Sequence, residues 1–415
     1  MRILIIPWNL YPENAGGAGK SIYYTAKGLA KLPKVSAVHI LTSTTGKTRT
    51  EKQGKLFIER YNDLDIKFRT GKEPFGFNDI KRKLDHFKIY GRWEKRIVEK
   101  YSKFKPDIVH CNDPFSLRRV KESLRNTSIP VVVSVRGYWP SSTTGTMMDK
   151  KKGLVEKWTF ANTLRSERLK TPLSILKHRH NKRNLKDSEG IHFISDYVKN
   201  KTEEHVVLNS VRNVIFNPRP FLEKTSSKKR DSKTVAYVGE LTYKKGLHKL
   251  LEALRILNNQ GKKYKLLVAG VGPKEKEFKK FVKENDLDKN VIFLGWVDEP
   301  NMIYQKSVIT VVPSLWPDPL PGVAFEPMFN DSIPIVSRYG GMPEIVPLKE
   351  LVVNVENPKI LADKIEEIME NPEKQKEIRK TFKPWLKKFS VETAAKQFYS
   401  FYEDVIGDFK GRNKK

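Results

Sequence analysis

Short apolar runs alternate along this chain with longer stretches whose apolar residues return every three or four positions. The short runs have strand length and the longer ones helical period, so their alternation predicts parallel βαβ units. In the first half, strands are expected at Ile3–Ile6, Ala37–Thr42, Ile108–His110, Pro130–Val135 and Ile191–Ser195, with the first crossover helix over Lys20–Lys31. In the second half they are expected at Thr234–Val238, Lys265–Ala269, Val291–Leu294, Val308–Val312 and Ile333–Val336. Helices over Leu247–Asn258, Glu275–Asn285 and Val323–Phe329 lie between these. The break between the two series falls near Asn217–Asp231, where Asn217-Pro218-Arg219-Pro220 stops regular structure and a polar run follows. Residues 1–215 would then form one doubly wound α/β domain and 216–390 a second. The last segment, 391–415, opens with Ala394, Phe398, Phe401, Tyr402 and Val405 near helical spacing.

One stretch breaks the pattern. Ser141–Asp187 shows no clear strand and holds twelve Lys/Arg against four Asp/Glu, with Leu154, Trp158, Phe160, Leu164, Leu169, Leu173, Ile175 and Leu176 among the cations. Such a segment reads either as an ordinary helical surface insertion or as interfacial helices lying on a membrane. Lys81–Lys100, with Phe87, Tyr90, Trp93 and Val98, carries the same ambiguity. Across the chain, 79 Lys and Arg oppose 48 Asp and Glu, a formal charge of +31. That field attracts anions without naming them. The cations are spread along the chain and no nucleic-acid module is present, so a nucleic-acid partner is not expected. The single cysteine, Cys111, allows no internal disulfide, and no signal peptide is evident, which together point to a cytoplasmic protein. No apolar run is long enough to cross a bilayer, so any membrane contact would be peripheral, at the inner face.

The candidate chemistry is concentrated in Pro313-Ser314-Leu315-Trp316-Pro317-Asp318-Pro319-Leu320-Pro321-Gly322-Val323-Ala324-Phe325-Glu326. A Pro/Gly-rich loop lets Asp318 and bare backbone N–H groups face a ligand, and a helix start offers donors to a phosphate. Hydroxyl recognition at one end and diphosphate recognition at the other suit a sugar nucleotide. Other motifs fail on inspection. Ala18-Gly19-Lys20-Ser21 mimics a P-loop, but Asn14 stands where its first glycine belongs. Asp63-Leu64-Asp65 and Asp286-Leu287-Asp288 do not follow strands in the manner of a metal-binding pair, and no metal site is expected.

Taken in order, these segments resemble the retaining family 4 glycosyltransferases (glycosyl transferases group 1) of GT-B fold. Tyr237-Val238-Gly239-Glu240-Leu241 with Lys244-Lys245-Gly246, Leu267–Pro273, Phe293–Val297, the pair Asp318 and Glu326, and Ser337–Ile345 all match that family's C-terminal half. Tyr11–Gly17, Lys105–His110, Ile194–Tyr197 and Phe389–Glu392 match in order elsewhere, leaving Ser141–Asp187 without a counterpart. The resemblance implies two Rossmann-like domains facing across a cleft, with the last helix crossing back to the first domain. It also implies a metal-independent transferase that takes a sugar from a UDP- or GDP-sugar, without a cofactor, and passes it to a glycan or lipid-linked acceptor in surface polysaccharide or glycoconjugate synthesis.

By the same resemblance, Asp318 would hold the donor sugar's hydroxyls and Glu326 the ribose. Gly322 and Val323 would give N–H groups to the diphosphate, and Lys245 would neutralise it. Gly239 and Glu240 would lie in the phosphate loop, Trp296 and Val297 beside the base, and Gly16 and Gly17 at the facing domain. Three positions depart from the family. Glu240 replaces an arginine that helps bind phosphate. Arg136 stands where a histidine is common near the donor sugar; it cannot serve as a general base but could clamp a phosphate on donor or acceptor. Ser332 replaces a glycine. The first two departures keep an alternative open, a catalytically inactive GT-B protein that binds nucleotide sugar or scaffolds a partner.

Overall fold

The computed structural model describes residues 1–413 except 14–16, 65–77, 145–146, 150–152, 156–157, 168–170 and 220–231, and gives only the backbone for 78–87, 148–149 and 153–154. The strands are β1 (Arg2–Ile6), β2 (Ala37–Ser43), β3 (Arg49–Gln53), β4 (Leu56–Tyr61), β5 (Ile108–Cys111), β6 (Val131–Val135), β7 (Met148–Asp149), β8 (Gly153–Leu154), β9 (Gly190–Phe193) and β10 (Val211–Val214), then β11 (Thr234–Val238), β12 (Lys265–Ala269), β13 (Val291–Gly295), β14 (Ile309–Val312), β15 (Ile333–Ser337) and β16 (Val352–Val353). The first domain holds an eight-stranded sheet of order β10-β9-β6-β5-β1-β2-β4-β3, and the second a six-stranded sheet of order β13-β12-β11-β14-β15-β16. Every pairing in these two sheets is parallel except β3 with β4. This is the two-domain α/β architecture that the alternation of runs predicts.

Parallel sheets need both faces covered, and the central strands are correspondingly rich in apolar residues. β5, β6, β14 and β15 are buried at every position. One face of the first sheet is closed by two helices distant in sequence. Ile22, Ala26 and Leu29 of Gly17–Lys31 share a core with Ala394, Ala395, Phe398, Phe401, Tyr402 and Val405 of Val391–Arg412, over Ile3 and Ile5. The C-terminal helix thus crosses back to the first domain, and the residues that do so are those at helical spacing. The P-loop mimic lies inside Gly17–Lys31, in its first turn.

Three features differ from the sequence expectation. β3, β4, β10 and β16 were not expected: β3 reads Arg-Thr-Glu-Lys-Gln and is a polar edge strand, where charge blocks further pairing. The expected helix Val323–Phe329 is a single α-turn, Gly322–Phe325, that passes into a 3₁₀ stretch, Glu326–Asn330. Pro327 has no N–H to continue the α ladder, so the turn tightens there. Within 141–187 the chain forms the β7–β8 hairpin and helices Phe160–Glu167 and Thr171–Lys186. Trp158 is buried, its indole N–H donating to Thr163 Oγ1 at 2.9 Å, and Trp93 likewise donates inward to the Leu64 carbonyl at 3.1 Å. Neither is an interfacial aromatic; Phe87 lies outside the described side chains. Among the described residues no helix is long and apolar enough to cross a membrane.

Candidate active site

In open α/β sheets, ligands meet the carboxyl ends of strands where the strand order reverses. In the second sheet that point lies between β11 and β14, and the loops leaving those strands carry Lys245 and Asp318. They are tied together: the Lys244 carbonyl accepts N–H bonds from Leu315 at 2.9 Å and Trp316 at 3.1 Å. Gly246 makes this approach possible, with φ +76° and a backbone so close that a Cβ would lie 1.8 Å from the Pro313 oxygen. As a result Lys245 Nζ sits 2.7 and 2.9 Å from the two Asp318 oxygens. Asp318 is 7% exposed. Its backbone is pinned by the 340–341 turn, where the Gly341 N–H donates to the Asp318 carbonyl at 2.9 Å and a Cβ on Gly340 would lie 2.2 Å from that oxygen.

The facing domain closes on this loop. Tyr138 donates its hydroxyl to the Pro317 carbonyl, and Ser195 Oγ donates to the Pro319 carbonyl at 2.7 Å. Glu344 reaches across to accept the N–H groups of Asp196 and Tyr197 at 2.7 and 2.8 Å, capping the helix Asp196–Glu203. Burial raises the Tyr138 hydroxyl well above the ordinary phenol range, so it remains a donor to Pro317.

Glu326 is not a free carboxylate. Its Oε1 accepts from Arg219 Nε at 3.3 Å. Arg219 was not singled out from the sequence, because it sits in the connection between the domains and no local motif marks it. Its backbone N–H donates to the Phe389 carbonyl at 2.9 Å, which fixes this strand of linker against the returning chain. The side chain is 13% exposed. Its Nη2 lies 3.9 Å from where a Cβ of Gly17 would be and 3.1 Å from where one of Gly322 would be. One guanidinium therefore stands between the facing-domain loop and the turn expected to hold the diphosphate. The Gly322 and Val323 amides have no intrahelical acceptor.

Glu240 turns away: its carboxylate pairs with Lys244 Nζ at 3.2 Å, both side chains about half exposed. The Gly239 N–H is spent on the Ala269 carbonyl at 3.0 Å. Trp296 is 71% exposed and donates to Asp298 at 2.8 Å, while Val297 is half-buried beside it. Gly16 lies outside the described residues, and Gly17 opens the first helix. Ser332, in place of glycine, is buried and shares a hydrogen bond with Thr310 Oγ1 at 2.9 Å.

Arg136 leaves the end of β6, one strand out from the β1/β5 switch point of the first sheet. Nε donates to Asn112 Oδ1 at 2.7 Å, and Nη1 donates to Asn217 Oδ1 at 2.5 Å and Ser21 Oγ at 3.3 Å. Nη2 is buried with no acceptor among the described residues. Burial holds the guanidinium down to about 10, with Asp113 opposing the shift; it is still a cation at neutral pH. Of the predicted residues, Lys245 and Asp318 are thus brought into contact, and Arg219 links Glu326, Gly322 and Gly17, while Glu240 pairs with Lys244 instead.

Comparisons with known proteins agree with this fold. The family model for glycosyl transferases group 1 matches residues 218–385, and that for glycosyltransferase family 4 matches 15–218. An uncharacterised glycosyltransferase of Methanocaldococcus jannaschii is 22% identical, over 99% of this chain and 100% of its own. Spore coat protein SA of Bacillus subtilis is 28% identical over 41% of this chain and 48% of its own. Among solved structures, sucrose-phosphate synthase from Thermosynechococcus elongatus superposes with a TM-score of 0.71 at 18% identity, covering 98% and 99% of the two chains. Anabaena HepE in complex with UDP-glucose gives 0.66 at 14%, covering 97% and 100%.

Proposed function

Because the chain belongs to the group 1, family 4 glycosyltransferases and has their GT-B fold, we propose that it moves a hexose-type sugar from a UDP- or GDP-sugar to a hydroxyl of a glycan or lipid-linked acceptor. The observation that carries this reading is the set Lys245, Asp318, Arg219 and Glu326, gathered at one switch point beneath the facing domain. UDP-glucose bound by HepE, a structure of the same fold, supports a uridine donor.

In the proposed reaction, Asp318 accepts from the sugar's hydroxyls, and Glu326 accepts from the ribose diol. Donor entry exchanges the Lys245–Asp318 contact for Lys245 on the diphosphate. Arg219 stands on the other side of that group. The acceptor hydroxyl attacks the anomeric carbon as the carbon–oxygen bond to the diphosphate breaks. Its proton passes to the departing phosphate oxygen on the same face, which retains configuration and needs no protein base. Lys245, Arg219 and the amides at Gly322 and Val323 stabilise the charge that develops on the leaving group, in the role a metal plays elsewhere.

The inactive alternative rested on Glu240 and Arg136. Glu240 pairs with Lys244, and Arg219 holds a guanidinium beside Gly322, where the diphosphate is proposed to lie, which favours the enzyme. Thermal stabilisation by UDP, GDP, ADP and their sugar conjugates, with and without EDTA, tests the donor. One nucleotide should give an EDTA-insensitive shift, about 2.7 kcal/mol at a hundred times its Kd. Asp318→Asn and Glu326→Gln should each lower transfer by orders of magnitude without unfolding the protein. Nucleotide binding with no turnover for any acceptor would select the inactive reading.

A further inference from the structure

Arg136 has no nitrogen to offer a ligand. Nε is spent on Asn112, Nη1 on Asn217 and Ser21, and Nη2 is enclosed by the protein. What the side chain does hold is the connection between the domains. Asn217 lies in that connection, and Arg219 follows it after a single proline. We propose that Arg136 is a positioning residue: through Asn217 it fixes the connecting segment so that Arg219 meets the diphosphate of the donor. The inference rests on the transferase reading and adds to it a residue that touches no substrate.

The segment is pinned on both sides of Pro218. Before it, the Ile215 N–H donates to the Phe193 carbonyl at 3.0 Å, which joins the connection to the end of β9. Asn217 is buried, and its Oδ1 accepts from Arg136 Nη1 at 2.5 Å and from Ser21 Oγ at 2.9 Å. Arg136 is braced in turn, because Nε donates at 2.7 Å to Asn112, a buried residue just past the end of β5. The Asn217 carboxamide is therefore held from the end of β6 and from helix Gly17–Lys31, both of the first domain. After Pro218, Arg219 pairs with Ser390 of the returning chain, and its side chain reaches Glu326 of the second domain at 3.3 Å. Proline fixes its own φ at about −65° and keeps the residue before it extended. An anchor at 217 is thus transmitted to 219 with little play. Of the two donors on Asn217 Oδ1, the guanidinium makes the stronger bond, because its hydrogen bond is charge-assisted. The arginine at 136 places the arginine at 219.

Nucleotide affinity of the full chain, read by titration calorimetry, tests this through double-mutant cycles. The probe is whichever of UDP, GDP and ADP stabilises the wild-type chain. Arg136→Met and Asn217→Ala should each weaken its binding about tenfold. In the Arg219→Ala background neither should weaken it further by more than about twofold, because the group they place is gone. Arg136→Lys should recover part of the loss, since an ammonium can still donate to Asn217. A merely structural role would lower the melting temperature of these variants and leave the nucleotide affinity of the folded protein unchanged, which overturns the proposal. An equal loss in both backgrounds overturns it as well, because Arg136 would then act on the nucleotide without Arg219. Should Arg136→Met fail to fold, Asn217→Ala leaves the guanidinium in place and carries the same cycle. A wild-type chain that binds none of the three nucleotides would count against the transferase reading instead, so the two failures are distinguishable.

Discussion

Arg219 is the residue on which donor affinity should turn. A family arginine is absent at position 240, and the glutamate there is occupied with Lys244. Arg219 arrives from the linker instead, with Nη2 beside Gly17 and Gly322 and Nε on Glu326. A partly buried guanidinium that meets a diphosphate makes charge-assisted bonds worth about 1.5–3 kcal/mol each. Arg219→Ala should therefore weaken UDP binding roughly tenfold to a hundredfold. Arg219→Lys should recover part of this, because a point charge replaces the planar fork. Introducing Glu240→Arg into the Arg219→Ala variant should also restore affinity, which a merely structural loss would not allow. Titration calorimetry with UDP reads all three; unchanged affinity in Arg219→Ala would remove it from the donor site.

At the scale of elements, the insertion helices carry the remaining ambiguity. Leu173 is 69% and Leu176 62% exposed on Thr171–Lys186, and Phe160 and Leu164 are also exposed on Phe160–Glu167. Cations follow them closely, at Arg165, Lys177, Arg179 and Arg183. Apolar side chains turned outward among cations suit the surface of an anionic membrane, where each cation adds about 1 kcal/mol. The protein should float with anionic vesicles and much less with neutral ones, and Leu173→Asp with Leu176→Asp should abolish the difference. Equal flotation on both would argue for an ordinary surface insertion. Sequence spacing could not sort these residues by itself: Trp158 and Trp93 sit in the same basic stretches yet turn inward to hydrogen-bond partners. The central strands were legible because burial on both faces makes them short, mostly apolar runs. β3 and β4 were not, since β3 is a polar edge strand and β4 buries Arg60 against the Leu10 and Tyr11 carbonyls. The donor loop was legible because its prolines, glycines and carboxylates are adjacent in sequence. Arg219 and the hold of Arg136 on Asn217 were not, because only the closed fold brings their neighbours together.

At the scale of the whole molecule, the returning helix is joined to the first sheet by a buried polar chain. His110 bonds Tyr402 at 2.6 Å and Ser134 at 2.8 Å; Ser134 in turn bonds His192 at 2.8 Å, which meets the Ile215 carbonyl at 2.8 Å. Burial drives the His110 pKa down to about 3, with nearby Arg136 acting in the same direction, and His192 is lowered as well. The folded state thus holds both rings neutral, whereas the unfolded chain protonates them near the ordinary value of about 6.5. Below that value the unfolded state binds more protons, so stability must fall as pH falls, down to the folded pKa. His110 alone should withdraw roughly 2–3 kcal/mol between pH 7 and pH 4.5. His39 and His178, each lowered to about 4 chiefly by burial, add to the same slope. Glu344 and Asp113 oppose it: burial raises both carboxyls, so the folded state favours their protonation as the medium acidifies. Urea unfolding at pH 7 and pH 4.5 should show the histidine slope prevailing, since four lowered imidazoles act against two carboxyls. His110→Gln should flatten it while leaving the bonds to Tyr402 and Ser134 available to an uncharged amide. A stability that is level across this range would mean that the crossover helix is not anchored through neutral imidazoles.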